Sequence, residues 1–203
     1  MKKANCVLAF LVVGMLAGCY VPSIHPLYTK QDVIFNPDLV GHWREREADK
    51  SQWVFVQKED KAYGLRITQE DKKVFVFTAY LLKVGDCHYL DLFPDTEDET
   101  NDSFLLKSML PVHTFVRIKQ LTPTLDVEVM NSEWLAKLLK ESPSAIKHEK
   151  MPVGEKDKEE YLTVLTAQPK ELQAFLAKYE KTDKVWNKLN SLKKTSVPEA
   201  KTP

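Results

Sequence analysis

Residues 74–82 read VFVFTAYLL, and this stretch places apolar side chains on both faces of one extended strand. Alternate side chains of a strand point to opposite faces. One face carries Phe75, Phe77, Ala79 and Leu81, and the other carries Val74, Val76 and Tyr80. One face fills a core, and the other would be an exposed apolar strip of a size that soluble monomers rarely tolerate. The stretch therefore predicts a sheet that is also covered on its outer side.

Shorter segments with strand patterns lie on both sides of this stretch. In residues 52–57 (QWVFVQ), Trp53, Phe55 and Gln57 share one face and Val54 and Val56 the other. After a charged turn, residues 63–68 (YGLRIT) alternate apolar side chains with Gly64, Arg66 and Thr68. Further strands are predicted at residues 41–45, 87–93, 112–118, 125–130 and 161–166, and residues 104–110 fit either a strand or a helical turn. Closely spaced short strands with turns between them are typical of an antiparallel meander that closes into a barrel. We expect a mainly β (β+α) fold, with seven or eight strands in a small barrel and two or three helices packed outside.

The helices are predicted near the C-terminus. Asn131 can cap a first helix that ends before Pro143, with an apolar stripe of Trp134, Leu135, Leu138 and Leu139. Pro169 suits the first turn of a second helix, whose stripe is Leu172, Phe175, Leu176 and Tyr179. Val185, Trp186 and Leu189 are expected to extend it, and residues 147–160 to form a charged loop. We expect the second helix to dock on the outer face of the 74–82 strand.

The composition excludes some classes of function. The chain has 203 residues, with 29 basic and 29 acidic side chains, so it lacks the basic surface that nucleic-acid binding requires. Lys2 and Lys3 precede a ten-residue apolar run, Val7 to Leu16. This pattern is typical of a signal peptide, and the run is too short to span a bilayer.

The apolar run ends in Leu16-Ala17-Gly18-Cys19, which resembles the lipobox of bacterial lipoproteins. The resemblance implies cleavage between Gly18 and Cys19, a diacylglycerol group on the Cys19 sulfur, and often a further acyl chain (such as palmitate) on the new amine. The membrane is then a partner through this covalent lipid. The sorting rule of the family retains lipoproteins with Asp after the cysteine at the inner membrane. Tyr20 therefore implies the outer membrane, with the protein facing the periplasm.

The expected organisation has four parts. Residues 1–18 are a cleaved signal peptide, and 19–31 are a lipidated tether that could extend about 40 Å. Residues 32–195 form a single barrel-like domain with C-terminal helices, and 196–203 are a disordered tail.

Two resemblances bear on the barrel. Gly41-His42-Trp43 resembles the Gly-x-Trp entrance of lipocalin-type barrels, which implies that Trp43 plugs the closed end and that Gly41 is structural. The body is also similar to a group of bacterial lipoproteins without an assigned activity. That likeness rests on His25 to Thr29, on the Gly-x-Trp start and on Leu90 to Pro94.

The search for chemistry yields no catalytic, cofactor-binding or metal site. A zinc site joining His42, His88 and His113 is an alternative to dispersed histidines, and Cys87 is expected to be a buried, unpaired thiol. The acidic run Asp91 to Asp102 lacks the EF-hand pattern for calcium and is expected to be a solvated loop beside the barrel mouth. No nucleophile elbow, H-E-x-x-H motif or P-loop is present in the sequence.

These observations favour a lipid-anchored cell-envelope protein that is not an enzyme and serves binding or structure. Its partner would be a small apolar ligand or another envelope protein. A barrel of eight strands either is filled by side chains or holds one small ligand, and we expect a filled one. The alternative is an envelope hydrolase or a metal-dependent enzyme.

Overall fold

The computed structural model describes residues 21–45, 51–95, 111–152 and 161–195. The strands are β1 (Pro22–Ser23), β2 (Val33–Ile34), β3 (Gly41–Glu45), β4 (Ser51–Gln57), β5 (Ala62–Gln69), β6 (Val74–Val84), β7 (Cys87–Pro94), β8 (His113–Gln120), β9 (Thr124–Met130), β10 (His148–Pro152), β11 (Tyr161–Leu165) and β12 (Trp186–Thr195). The helices are α1 (Ser132–Glu141) and α2 (Pro169–Tyr179), with 3-10 turns at Pro37–Leu39, Pro143–Ala145 and Asp183–Val185. No helix within these ranges is long and apolar enough to cross a bilayer.

Eight of the strands form a closed antiparallel barrel. Strands β3 to β9 pair consecutively as a meander, and β12 closes the ring between β9 and β3. This confirms the predicted fold class, a mainly β, lipocalin-like barrel with helices packed outside. Full closure leaves none of these eight strands as a bare edge.

The closing strand is the largest correction to the sequence-based prediction. Residues 185–189 were expected to extend a helix, but Trp186–Thr195 is strand β12. The register with β9 shifts between Lys188 and Asn190, so the strand is irregular there. That irregularity interrupts the alternation of apolar and polar residues, and the spacing of Val185, Trp186 and Leu189 then fits a helix equally well.

Two apolar cores lie on opposite sides of the barrel wall. The inner core fills part of the barrel and includes Trp43, Phe55, Tyr63, Leu65, Leu81, Leu90, Val127 and Leu192. The outer core lies between the wall and the helices and includes Leu82, Tyr89, Phe115, Leu135, Leu172, Leu176 and Trp186. The predicted docking of both helices on the outside of the sheet is therefore confirmed.

Both helices begin as their sequences predict. The side chain of Asn131 accepts hydrogen bonds from the backbone N–H groups of Glu133 (3.0 Å) and Trp134 (3.1 Å). At α2 the carboxylate of Glu171 accepts the N–H of Gln168 at 2.9 Å, and Pro169 occupies the first turn. These caps satisfy N–H groups that the helix itself leaves without partners.

The cover over the outer face of β6 is only partial. Leu82 and Val84 belong to the same core as Leu172 on α2. The ring of Tyr80 is covered by Tyr28, with ring centroids 4.3 Å apart. Val74, at the other end of the strand, remains 46% exposed. The outer apolar strip of β6 is thus buried along its second half.

The predicted tether is wrong for residues 21–31. Val21, Ser23 and Leu27 are buried, and β1 pairs with both β8 and β11. We refer to residues 21–32 as the N-terminal segment. It lies against the barrel because Val21 and Leu27 contribute to the outer core, so it cannot act as a 40 Å spacer.

A second predicted irregular region also contains a strand. Residues 148–152 were expected in a charged loop, but they form β10, which pairs with β11 along five residues. Four of the five side chains are exposed, and the segment therefore lacks the apolar alternation that marks a half-buried strand. Residues 104–110 and the tail 196–203 lie outside the described residues.

Candidate functional site

Among the described residues, one end of the barrel forms an open recess of about 680 Å³. Its apolar wall is formed by Trp53, Ile67, Phe75, Phe77 and Leu189. Three of these side chains sit side by side, since Trp53 pairs with Ile67 and Ile67 pairs with Phe75 across adjacent strands. Cross-strand partners share a face of the sheet, and this face is the inside of the barrel.

Polar groups lie at the rim of the same cavity. Glu45 accepts a hydrogen bond from the Asn190 side-chain amide at 2.6 Å, and Trp53 Nε1 donates to Ser51 Oγ at 3.2 Å. Gln69, Glu70 and Asp71 complete the described lining, which contains three carboxylates and no lysine, arginine or histidine.

One rim carboxylate already has a cation beside it. Lys73 Nζ lies 2.8 Å from Asp71 Oδ2, and hydrogen bonds from the Lys73 side chain and backbone lower the pKa of Asp71. The pair is solvent-exposed, so it adds little to stability. Among the described lining residues, Glu45 and Glu70 have no such cation, so the described part of the rim is negative on balance around an apolar interior.

The other half of the barrel is filled. Moving inward along the strands, the next side chains beneath the cavity are Trp43, Phe55 and Leu65. Each of them is 1% exposed or less. The expectation of a filled interior is thus right for one half of the barrel and wrong for the mouth.

Residues 33–39 close the filled end. The ring of Phe35 stacks on Tyr63 with centroids 5.1 Å apart, and the N–H of Asn36 donates to Tyr63 Oη at 2.6 Å. Trp43 Nε1 donates to the carbonyl of Leu39 at 2.8 Å. Gly41 adopts φ +129°, a conformation that side-chain-bearing residues rarely take. This geometry explains why a glycine stands two residues before the buried tryptophan.

A buried carboxylate–imidazole pair lies on the outer side of the barrel. Asp91 Oδ1 is 2.6 Å from His113 Nδ1, and Asp91 Oδ2 accepts the N–H of Leu27 at 2.6 Å. Asp91 is fully buried, and desolvation raises its pKa even though His113 and Leu27 oppose the rise. An Asp–His pair also occurs in hydrolases, but here it is covered by the N-terminal segment and holds that segment to the wall.

The sequence-based interpretation of Asp91 as part of a solvated acidic loop is therefore wrong. Asp91 shares its strand face with Tyr89, a residue of the outer core, and that shared face was visible in the sequence. Glu97, Asp98, Glu99 and Asp102 of the same run lie outside the described residues.

A second polar cluster surrounds Arg117. Its guanidinium forms an ion pair with Glu128, donates to the carbonyl of Glu180 at 2.7 Å, and lies 4.4 Å from the ring centroid of Trp186. Cys87 is close to the same charge. Partial burial raises the pKa of its thiol, while Arg117 opposes the rise.

The other residues singled out in the sequence do not converge. His88 is exposed and His42 lies 3.4 Å from the Gln52 side chain, while His113 is buried with Asp91. Within the described ranges, no group of three or more His, Cys, Asp or Glu side chains is placed to hold a metal ion. Gly18 and Cys19 lie outside the described residues.

Comparisons with family models, with curated proteins and with solved structures find no match to this chain. The mouth cavity, where the sequence analysis predicted a filled barrel, is the feature of the described residues that bears most directly on function.

Proposed function

We propose that this protein is a lipoprotein of the bacterial cell envelope, anchored through Cys19, whose barrel binds a small apolar or amphiphilic ligand at its open mouth. The observation that carries the binding proposal is the 680 Å³ cavity with its wall of aromatic and aliphatic side chains. Ligand sites typically have volumes of about 300–1,000 Å³, mostly apolar walls and a few polar groups. The mouth meets each of these criteria.

The carboxylates at the rim disfavour a ligand with an anionic head group. Glu45, Glu70 and Asp71 line the cavity, and the described lining offers no cation to an anionic group. A ligand with an apolar chain and a neutral or cationic head places its chain against Phe75 and its head near the carboxylates. A fatty-acid anion brings like charges together and is disfavoured.

The anchoring proposal rests on the sequence Leu16-Ala17-Gly18-Cys19 and on the signal-like segment before it. Two or three acyl chains, at about 0.8 kcal/mol per buried methylene, hold a protein stably on a membrane. Cys19→Ser should therefore leave an uncleaved or soluble form. Normal fractionation of this variant with membranes, or an unmodified Cys19 by mass spectrometry, would contradict the anchor.

The binding proposal is tested with ligands of equal chain length. Dodecyltrimethylammonium, monolaurin and laurate are titrated against the protein below their micellar concentrations, with intrinsic tryptophan fluorescence as the readout because Trp53 lines the cavity. We expect saturable binding of the first two and weaker binding of laurate. No binding of any of the three would contradict the proposal.

A pair of variants on one strand localises the binding. Phe75 faces the cavity, whereas its neighbour Val74 faces outward and is 46% exposed. Phe75→Ser should weaken binding at least tenfold, since burying a phenyl ring against a ligand contributes about 1.5–3 kcal/mol. Val74→Ser is the matched control and should bind as the wild type does. Equal losses in the two variants would place the ligand elsewhere.

A further inference from the structure

The N-terminal segment enters the sheet in a direction that the pairing determines. β1 is parallel to β11, with Ser23 opposite Leu165, and the N–H of Ile24 donates to the carbonyl of Leu165 at 2.9 Å. Because the two strands are parallel, residues before Ser23 lie beside residues before Leu165. Val21 is two residues before Ser23, so it lies level with Thr163. Tyr161 is two residues further along β11 in the same direction.

Val21 is also held in place. It is 7% exposed and belongs to the outer core together with Leu165 and Trp186. Only Tyr20 separates it from Cys19 in the sequence. Two residues of extended chain span at most about 7 Å, so a lipid on Cys19 is attached within that distance of Val21. The anchor thus has almost no slack relative to the barrel.

The β10–β11 hairpin carries exposed apolar side chains near this point. Met151 is 53% exposed and Tyr161 is 56% exposed. Met151 pairs with Leu162 and Tyr161 pairs with Pro152, so the two exposed side chains lie on opposite faces of the last described pairs of β10 and β11. From the level of Val21 to that of Tyr161 is about 7 Å along the strand. By chain length, the lipid attachment point is therefore within about 14 Å of the level of Tyr161.

We propose that Met151 and Tyr161, at the last described pairs of β10 and β11, contact the phospholipid head-group layer of the membrane that holds the lipid anchor. This inference rests on the proposed lipidation of Cys19. Tyrosine suits a membrane–water interface because its ring is apolar and its hydroxyl can remain hydrated. With the anchor and the hairpin both in the interface, the barrel is held in one orientation.

Strand β4, on the opposite side of the barrel from β1, is expected to lie away from the membrane. β1 pairs with β8, and β4 lies four strands from β8 in either direction around the eight-stranded ring. Val56 on β4 is 53% exposed, which matches the exposure of Tyr161. It provides an equally exposed apolar site on the opposite wall of the barrel.

The experiment uses the full-length lipidated protein in vesicles of phosphatidylethanolamine and phosphatidylcholine that contain a brominated phosphatidylcholine. Tyr161→Trp and Val56→Trp are compared, each as the difference from the wild type, because bromine quenches only tryptophans that reach the lipid. We expect the added tryptophan of Tyr161→Trp to be quenched at least twofold and that of Val56→Trp to be unaffected. Both substitutions are at exposed sites, so the fold is not at risk.

The same samples separate the two possible failures. Mass spectrometry of the protein reports whether Cys19 carries lipid, and an unmodified cysteine overturns both the anchor and this inference. A lipidated protein in which neither added tryptophan is quenched, or in which both are quenched equally, overturns the membrane contact and leaves the anchor intact. Quenching of Val56→Trp alone overturns the proposed orientation.

Discussion

The backbone N–H of Leu27 donates a hydrogen bond of 2.6 Å to the carboxylate of Asp91, 64 positions away in the chain. The second carboxylate oxygen of Asp91 lies 2.6 Å from His113 Nδ1. One buried side chain thereby connects the N-terminal segment to strands β7 and β8.

Removal of this carboxylate should loosen the N-terminal segment. Asp91→Ala leaves the N–H of Leu27 and the ring of His113 buried without their partner, which typically costs about 3–5 kcal/mol. We expect a lower free energy of unfolding in denaturant titrations and faster proteolysis within residues 21–32. Asp38→Ala, at an exposed position, is the control. Unchanged stability in Asp91→Ala would contradict the role of the carboxylate.

Asp32 gives the N-terminal segment a dependence on pH. Partial burial alone raises its pKa, but hydrogen bonds from Gln173, Lys170 and Thr29 outweigh that effect, and the pKa lies well below its usual value of 3.8. A carboxylate with a lowered folded-state pKa stabilises the fold above its unfolded-state pKa, and the stabilisation is lost as the pH falls through the folded-state value.

We therefore expect Asp32→Asn to lower the free energy of unfolding by about 1–3 kcal/mol at pH 7, because hydrogen bonds to a charged group are lost. The difference from the wild type should persist at pH 5 and shrink below about pH 3.8. Denaturant titrations at pH 7, 5 and 3 measure it. A difference that grows on acidification would have the wrong sign.

The two cores should respond alike to the loss of a tryptophan. Trp43 is 1% exposed in the inner core and Trp186 is 7% exposed in the outer core. The sequence predicts a helix at Trp186, but this residue begins strand β12. Trp43→Ala and Trp186→Ala should each cost about 3–5 kcal/mol. Leu189→Ala, at a position 41% exposed, should cost much less, and a comparable loss there would mean that exposure does not govern these costs.

Cys87 should react slowly in the folded protein. Partial burial raises the pKa of the thiol, so less of the reactive thiolate is present near pH 8. We expect labelling by a thiol reagent to be several-fold slower than in denaturant. Val56→Cys combined with Cys87→Ser supplies an exposed thiol as the fast-reacting comparison. Equal labelling rates at the two sites would contradict the effect of burial.

The parts of the fold that follow from regular patterns were predictable. Strands β4 to β9 show clear alternation or long apolar runs, and α1 and α2 carry both an apolar stripe and a cap. β12 was not predictable in the same way because its register shift interrupts the alternation. The edge strand β10 was not predictable either. Four of its five side chains are exposed, so its sequence shows no alternation of apolar and polar residues.

The mouth cavity illustrates a different limit. Sequence alternation places Trp53 with Phe55, Ile67 with Leu65, and Phe75 with Phe77 on shared strand faces. It does not tell how far such side chains fill the space between opposite strands. That depends on the three-dimensional arrangement of the barrel wall. The role of Asp91 was missed because charged residues are usually exposed, so the strand face that it shares with Tyr89 was not taken as a sign of burial.

The position of β12 in the ring has a consequence for folding. His42 on β3 pairs with Thr195 on β12, and the hydroxyl of Thr195 donates to the carbonyl of His42 across 153 positions of chain. Contacts between such distant positions carry a large loop-closure entropy and tend to slow folding. Until β12 arrives, β3 and β9 each present an unpaired edge to which strands of other molecules can add. Since β12 is the last of the described strands in chain order, the sheet remains an open ribbon until this strand pairs with β3 and β9.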